Sequence, residues 1–556
     1  AESNITAADQ MLDSPTNNFC TWNPLTKPAY TNTVTEGNLK SNSSADWSGR
    51  FGTFAVTSGK WYWEISEGDW SDSEMSMQVG IAVDNIDQDA QTHHTLAGSI
   101  AYQANGQIRV DNVVTDTVTS YDQGTDIVGI ALDLDSGTNT VKFYENNNLV
   151  ATKDLTANFT GKAVVPFAGA YQHYWMANFG QDSSFAGAKT AQGNTDGNGK
   201  GDFYYTPPTG YLALCTSNLP EPAVIPNEHF DVVTYDGSSS TVTNNDTAFQ
   251  PDFGWWKKVS GGEAHALIDI ARGVDKRVAM STGAEESGGI TSFDSDGFTV
   301  SGGSGRFSEN GHDYVAWLWK MGGATSTNSD GNHSGGVAVS ANEDAGQSIL
   351  YYTGNSSSPK TVGHGLTKAP EVWFGKNVND DGGWYMYHHK TSSPFAEVMY
   401  PNSNAAETAS VPCTAVSATT ITFPDGAFTD SPNRMILYAF HSVDGYSKFG
   451  SYTGNGSSSD GTFVYTGFRP AYLIIKRINS TGGWNILDYK REPFNPSDER
   501  IEGQAATAAD NHSAYNTDFL SNGFKSYAAS AEWNGNNDTF IYLAFAETPF
   551  KYSNAR

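Results

Sequence analysis

One pattern occurs three times in the second half of the chain, and it constrains the fold more than any other feature. Around Pro251 the sequence reads AFQPDFGWWKKVSGGEAHALID, around Pro370 GLTKAPEVWFGKNVNDDGGWYMYH, and around Pro470 GFRPAYLIIKRINSTGGWNILD. Each copy has a proline, an aromatic or aliphatic run, a lysine six residues after the proline (Lys257, Lys376, Lys476), a glycine-bearing turn and a second apolar run. Two of the turns end in the same Gly-Gly-Trp, at Trp384 and Trp484. The flanks repeat as well: Tyr235-Asp-Gly, Tyr352-Thr-Gly and Tyr452-Thr-Gly precede the prolines, and Tyr314-Val-Ala-Trp, Leu437-Tyr-Ala-Phe and Tyr542-Leu-Ala-Phe close the copies. A period of roughly one hundred residues exceeds a solenoid repeat and fits one small domain per copy. Apolar runs rich in β-branched and aromatic residues between glycine turns predict β modules.

A chain of 556 residues is too long for one core and divides into several domains. The 57 glycines, 27 tyrosines, 29 phenylalanines and 14 tryptophans suit an all-β protein with many turns. The net charge of −29 repels phosphate backbones, and no Lys/Arg cluster reverses it locally, so nucleic acid is excluded as an expected partner. No stretch approaches the ~20 apolar residues that span a bilayer, so no membrane insertion is expected. The N-terminus has no basic and apolar leader pattern. Cys20, Cys215 and Cys413 form neither a disulfide framework nor a zinc signature. Buried free thiols are the simpler reading, with a Cys20–Cys215 bridge as the alternative if the ends of the first domain meet.

Residues 1–20 are polar, with Asp13-Ser-Pro-Thr-Asn-Asn as turn chemistry, and predict an extended arm. Strands follow. In Ser58-Gly-Lys-Trp-Tyr-Trp-Glu-Ile the period of two puts Trp61 and Trp63 on one face, Tyr62 and Glu64 on the other. The series SGKWYWEI, QVGIAV, VGIALDLDSGTNTVKFYENNNLV, VPFAGAY and MANFG resembles the SPRY (B30.2-like) domain over about residues 45–182. The resemblance implies a concanavalin-like β-sandwich that binds partners through loops at one end and carries no catalytic machinery. Residues 195–220 and the triple pattern beyond are similar to marine tailed-phage structural or tail-fibre-type proteins, which implies a virion setting and carries over no functional residue. The expected architecture is all-β: arm 1–20, SPRY-like sandwich with C-terminal extension 21–219, Pro-rich linker 220–227, and three related sandwich-like modules in series at 228–345, 346–445 and 446–556. The Ser/Asn/Gly-rich segment 324–335 is expected to separate or decorate the first two modules, whereas the junction at Tyr438–Tyr452 has no flexible spacer and predicts rigid packing of the last two.

Catalytic patterns fit poorly. A retaining glucanase needs two carboxylates about 5 Å apart, but in Glu64-Ile-Ser-Glu-Gly-Asp the period of two splits Glu64 from Glu67 and Asp69. Glu64 then reads as a strand-face carboxylate. There is no Gly-x-Ser-x-Gly elbow and no HExxH, and the pairs His93-His94 and His388-His389 read as surface or turn histidines. Asp196, Asn198 and Asp202 offer hard oxygens on a flexible loop, as does Asp294-Ser-Asp-Gly, so a structural Ca²⁺ is the one ion expected; no other cofactor is. Trp70 among turn residues, and Tyr171, His173 and Trp175 in AYQHYW, are expected at an exposed glycan- or partner-contacting edge.

The expectation is therefore a non-enzymatic structural or adhesive protein of a phage virion, surface-located and extracellular. It would assemble as a homo-oligomer, contact other virion proteins and bind a host-surface glycan or protein receptor. A secreted bacterial filament or adhesin subunit and a polysaccharide-degrading enzyme are the alternatives.

Overall fold

The computed structural model describes residues 17–26, 32–43, 47–67, 77–84, 97–122, 124–356, 360–424, 426, 428–511, 515–527 and 530–552. The chain divides into two compact units, residues 1–221 and 222–556. Both are all-β. In the first unit five long strands, β1 (Lys60–Glu67), β2 (Met77–Val83), β3 (Ile127–Asp133), β4 (Val164–Tyr171) and β5 (Tyr174–Asn178), form the centres of two sheets. One sheet runs Asn32–Thr35, Lys40–Ser43, β5, β1, β3, Thr140–Glu145, Asn148–Asp154; the other runs Trp47–Phe51, β4, β2, Ser99–Gln103, Gln107–Val110, Val113–Thr117.

Period two decides what β1 buries. Trp63 and Ile65 are fully covered, and Phe179 packs against both Trp63 and Trp22, with ring centroids 6.4 and 5.5 Å apart. Tyr62 and Glu64 on the opposite face are just as buried, because the C-terminal extension lies over them: Phe203, Tyr211, Ala213 and Cys215 form a second small core with Tyr62 and Phe19. Where β5 stops opposite Glu64, Leu212–Ala213 continues along β1 as a parallel strand against Trp61 and Tyr62. The end of the expected N-terminal arm is not free. Asn18 and Cys20 bond backbone to backbone with Thr216 and Leu214, and Phe19 is buried. All three cysteines are buried free thiols.

The second unit holds three large sheets. The long strands of the first are β6 (Phe230–Asp236), β7 (Phe253–Lys258), β8 (Ala266–Asp269) and β9 (Asp313–Trp319), in the order β6-β9-β7-β8 followed by two short strands. In the next, β10 (Gln347–Thr353), β11 (Val372–Asn377), β12 (Tyr385–His388) and β13 (Arg434–Phe440) run β10-β13-β11-β12. In the last, β14 (Ser447–Thr453), β15 (Phe468–Arg477), β16 (Trp484–Asp488) and β17 (Thr539–Pro549) run β14-β17-β15-β16. The same order thus recurs three times, each sheet backed by a three-stranded one with its own apolar core.

The other face of all three large sheets points into one shared core. Phe253, Trp255 and Trp317 from the first module meet Phe374 and Tyr438 from the second and Tyr472, Ile474 and Phe545 from the third. The Phe253 and Tyr438 rings stack at 4.1 Å, and Phe230 lies 5.1 Å from Phe545. Strands covered on both faces are apolar without alternation, which explains runs such as FGWWKK and AYLIIK. Two expectations are corrected here. The modules follow one another in the chain but close on each other in space, so rigid packing is not confined to the last two. Of the two roles open to segment 324–335 it takes the decorating one, since Ser326–Asn328 pairs with Val337–Asn342 at the edge of the second module's sheet. The expected linker 220–227 belongs in its latter part to the second unit, with Val224 in the shared core and a 3-10 turn at Pro226–Glu228.

Candidate functional site

The closure is a ring of equivalent bonds. Glu285 N–H donates to the Val378 carbonyl at 2.8 Å, Glu407 N–H to Ile478 at 2.9 Å, and Ala509 N–H to Val259 at 2.9 Å, joining first to second, second to third and third to first. A second ring uses side chains. Trp384 Nε1 donates to the Ala279 carbonyl at 2.8 Å, Trp484 Nε1 to Tyr400 and Ser403 at 3.1 and 3.0 Å, and His265 Nε2 bonds the Glu502 carbonyl at 3.0 Å. The Trp255 indole donates to His265 Nδ1 at 2.7 Å. A carbonyl only accepts and an indole only donates, so His265 is held as the neutral Nε2–H tautomer, and burial pulls its pKa down to about 3.

The lysine of the sequence repeat has a definite place. Lys257, Lys376 and Lys476 stand at the same register position, opposite Val315, Ile436 and Ile541, and each is fully buried. Their amines bond backbone carbonyls: Lys257 to Lys258 and Gly261 at 2.8 and 3.1 Å, Lys476 to Arg477 at 2.6 Å, and Lys376 across the module joint to Gly283. Lys376 and Lys476 also lie 6.0 and 5.9 Å from the Trp384 and Trp484 rings. Among the described residues none of the three has an ion-pair partner, and burial pulls each pKa down to about 8. The repeat announced these positions; only the structure gives them a role, as interior posts of the ring.

Below them sits a third set of equivalent residues. Asp269 is fully buried, accepts from the Arg272 backbone and Nε, and takes the Tyr438 hydroxyl of the second module at 2.7 Å. Asp488 repeats this with Arg491 and takes the Trp317 indole of the first module at 3.2 Å. In the second module the position is His388, and Leu543 stands where Tyr438 and Trp317 stand in their strands. Where no polar donor arrives, an uncharged group replaces the carboxylate. His388 is therefore no surface histidine: it is fully buried and its pKa is pushed well below the usual range by desolvation. His389 bonds the Phe449 carbonyl at 2.9 Å. His93 and His94 lie outside the described residues.

In the first unit the Glu64 carboxylate accepts four hydrogen bonds. Oε2 accepts from Tyr204 N–H at 2.9 Å and Asn178 Nδ2 at 3.0 Å; Oε1 accepts from Tyr205 N–H at 2.7 Å and the Tyr62 hydroxyl at 3.2 Å. Desolvation outweighs these donors and raises its pKa to about 7. Glu64 is thus not an open strand-face carboxylate but the latch that holds the extension on the sandwich, and nothing in the local sequence shows a partner so far along the chain. The Glu67 side chain and Asp69 lie outside the described residues.

The expected binding edge does not assemble as expected. Trp70 lies outside the described residues, Tyr171 is half-buried, and His173 and Trp175 are 3 % and 0 % exposed. Trp175 is on the inward face of β5, its ring 6.5 Å from Trp22, so packing takes the surface that stacking on a sugar needs. The expected calcium loop is also built otherwise. Asp196 Oδ1 accepts from the backbone of Asn198 and Lys200 and Oδ2 from Ala213 N–H and Asn218 Nδ2, all at 2.8 Å. Asp202 Oδ1 accepts from Gly193 N–H at 3.0 Å, and the Asn198 amide donates to Asn218 at 2.9 Å. N–H groups already take up these oxygens, and a Ca²⁺ ion, which needs six to eight oxygen ligands, would have to displace those bonds. Asp294 is likewise taken up by the Ser292 and Thr299 hydroxyls. Among the described residues no group of three or more His, Cys, Asp or Glu is arranged to hold a metal.

A family described as a domain of unknown function (DUF7483) matches residues 225–549, more than half of the chain. The chain belongs to the DUF7483 family. In this DUF7483 protein a SPRY domain occupies residues 60–182. Solved structures similar to that part include a human SPRY domain (17 % identity, 26 % of this chain and 93 % of that one, TM-score 0.22). The SPRY domain of human HERC1 (17 %, 28 % and 96 %, TM-score 0.24) and the TRIM65 PSpry domain (13 %, 28 % and 87 %, TM-score 0.24) are others. No curated protein matches the chain.

Proposed function

We propose that the chain is a non-enzymatic binding protein of a phage virion surface, in which the SPRY sandwich meets a protein partner and the DUF7483 ring forms a stiff body that contacts the host-surface glycan or receptor. The observation that carries this reading is where the perturbed ionisable groups lie. Glu64, the three repeat lysines, His265 and His388 have the shifted pKa values that often mark reaction centres. Each sits in a filled core, bonded to backbone or packed among rings, with no room for a substrate. Their shifts come from burial that serves packing.

The virion setting rests on the similarity of the second half to tailed-phage structural proteins, and the homo-oligomer on the same ground. Immunogold labelling of particles from the source, with antibody against this chain, tests the setting: label on the particle is expected, and label confined to cell-borne filaments would favour an adhesin subunit. Incubation with a polysaccharide panel tests the chemistry. Depolymerisation that disappears in Glu67→Gln would overturn the reading.

A further inference from the structure

The three module joints are equivalent in backbone but not in what fills them. At the joint between second and first modules, Arg434 reaches Glu285 at 3.3 Å and the Tyr351 hydroxyl at 2.9 Å, while Arg272 faces Glu285 from the other side at 3.6 Å. The joint is plugged. At the joint where the third module returns to the first, a cleft of about 440 Å³ remains, walled by Thr234, Asp236 and Asp313 on one side and Lys490, Arg491 and Glu499 on the other. That volume lies within the roughly 300–1,000 Å³ usual for small-ligand sites. One register position differs among the modules: Asp313, Arg434 and Thr539 are the cross-strand partners of Asp236, Thr353 and Thr453. At this position a long arginine reaches across one joint, and a short aspartate borders the cleft.

Two carboxylates directly opposed on neighbouring strands repel each other. Asp236 and Asp313 are such a pair, both exposed, and among the described residues neither carboxylate has a hydrogen bond or ion pair. The other two modules place Thr–Arg and Thr–Thr there. Across the cleft, Lys490 has no carboxylate at ion-pair distance among the described residues and lies over the Tyr489 ring at 5.3 Å, while Arg491 is committed to Asp488 at 2.7 Å. Acceptors on one wall thus face Lys490 as a donor and Glu499 as a further acceptor on the other, with Thr234 offering both; Tyr235 and Tyr314 also border the cleft, their rings turned into the module's private core.

We propose that this cleft is a saccharide site of the ring. Vicinal hydroxyls of one sugar residue donate to Asp236 and Asp313, and a hydroxyl oxygen on the opposite edge accepts from Lys490. A polyol satisfies both walls at once, its hydroxyls donating to the carboxylates and accepting from Lys490. The proposal rests on the glycan-binding part of the function proposed above.

The test uses the full chain on a panel of immobilised oligosaccharides, followed by calorimetric titration of the best-bound one in solution. Asp236→Asn/Asp313→Asn is expected to weaken binding at least tenfold while melting at or above the wild-type temperature, because the repulsion is removed. The charge-matched Glu343→Gln/Asp344→Asn, in an exposed turn of the second module, is expected to bind like wild type. Undiminished binding by the first variant overturns the site and leaves the glycan-binding role standing. Capture of host cells with no saccharide bound also overturns the site but leaves the partner-binding role. Displacement of the sugar by an equal concentration of spermidine would make the cleft a cation site and overturn the proposal.

Discussion

At the scale of the residue, the three buried lysines give this protein an uncommon pH response. Their folded pKa of about 8 lies below the unfolded value of 10.5, so between pH 8 and 10.5 the unfolded chain binds more protons and stability rises with pH. Below pH 8 both states are protonated and the cost of burying the amines is constant. Each lysine adds at most about 1.4 kcal/mol per pH unit in that window. Lys476→Met, which keeps length and removes the amine, is expected to leave stability at pH 7 unchanged or raise it by about 1–2 kcal/mol. It should also flatten the rise above pH 8, as read by chemical unfolding at pH 7, 8, 9 and 10; an unchanged slope would refute the assignment. Glu64 has the opposite sign. Its folded pKa of about 7 exceeds the ordinary 4.5, so its contribution is full below pH 4.5 and is lost as pH rises to 7. Glu64→Gln puts an amide N–H against donors that need an acceptor, and is expected to cost about 2–3 kcal/mol. It should also expose residues 192–215 to limited proteolysis at pH 8, whereas resistance equal to wild type would argue against the latch.

At the scale of the element, the central strands of the ring carry two cores at once, and their ends carry the carboxylates that join modules. Asp269 binds Arg272 within its own module and Tyr438 from the next. Removing it leaves a buried guanidinium with only the longer Glu285 contact at 3.6 Å, so Asp269→Ala is expected to destabilise the second unit by about 3–5 kcal/mol, whereas Tyr438→Phe, which removes one hydroxyl, should cost about 1–2 kcal/mol. Denaturant melts of both variants check the ratio; equal losses would mean that the joint bond, and not the ion pair, carries the energy. The loop around Asp196 makes a different prediction. Since its carboxylate is filled by amide donors, EDTA is expected to leave the melting temperature of the first unit unchanged, and a downward shift would show that a cation is bound after all. The strands themselves were legible in the sequence, because SGKWYWEI alternates and AYLIIK does not, and both are strand signatures. Their partners were not: Trp175 reads as an exposed ring beside turn residues, and only the pairing of β5 with β1 turns it inward.

At the scale of the whole molecule, closure makes the second unit one cooperative body. Each module has a private core, but its large sheet exposes Trp255, Phe374 or Ile474 unless the other two modules cover it. Truncation after residue 445 is therefore expected to give a chain that aggregates or lacks a cooperative melt, while residues 222–556 should unfold in a single transition; a soluble, folded two-module fragment would contradict the ring. The sequence by itself determined that there would be three like modules behind a SPRY sandwich, and that strands would dominate, because apolar periodicity, turn residues and repeats are local and survive in one dimension. It also marked Lys257, Lys376 and Lys476, without saying why they recur. Tertiary structure alone decided that the modules close into a ring, that Glu64 and His388 are interior, and that one joint stays open where Asp313 stands in the place of an arginine. The reason is that burial and bonding depend on what comes back across hundreds of residues, and a chain read in order carries no distance between its ends.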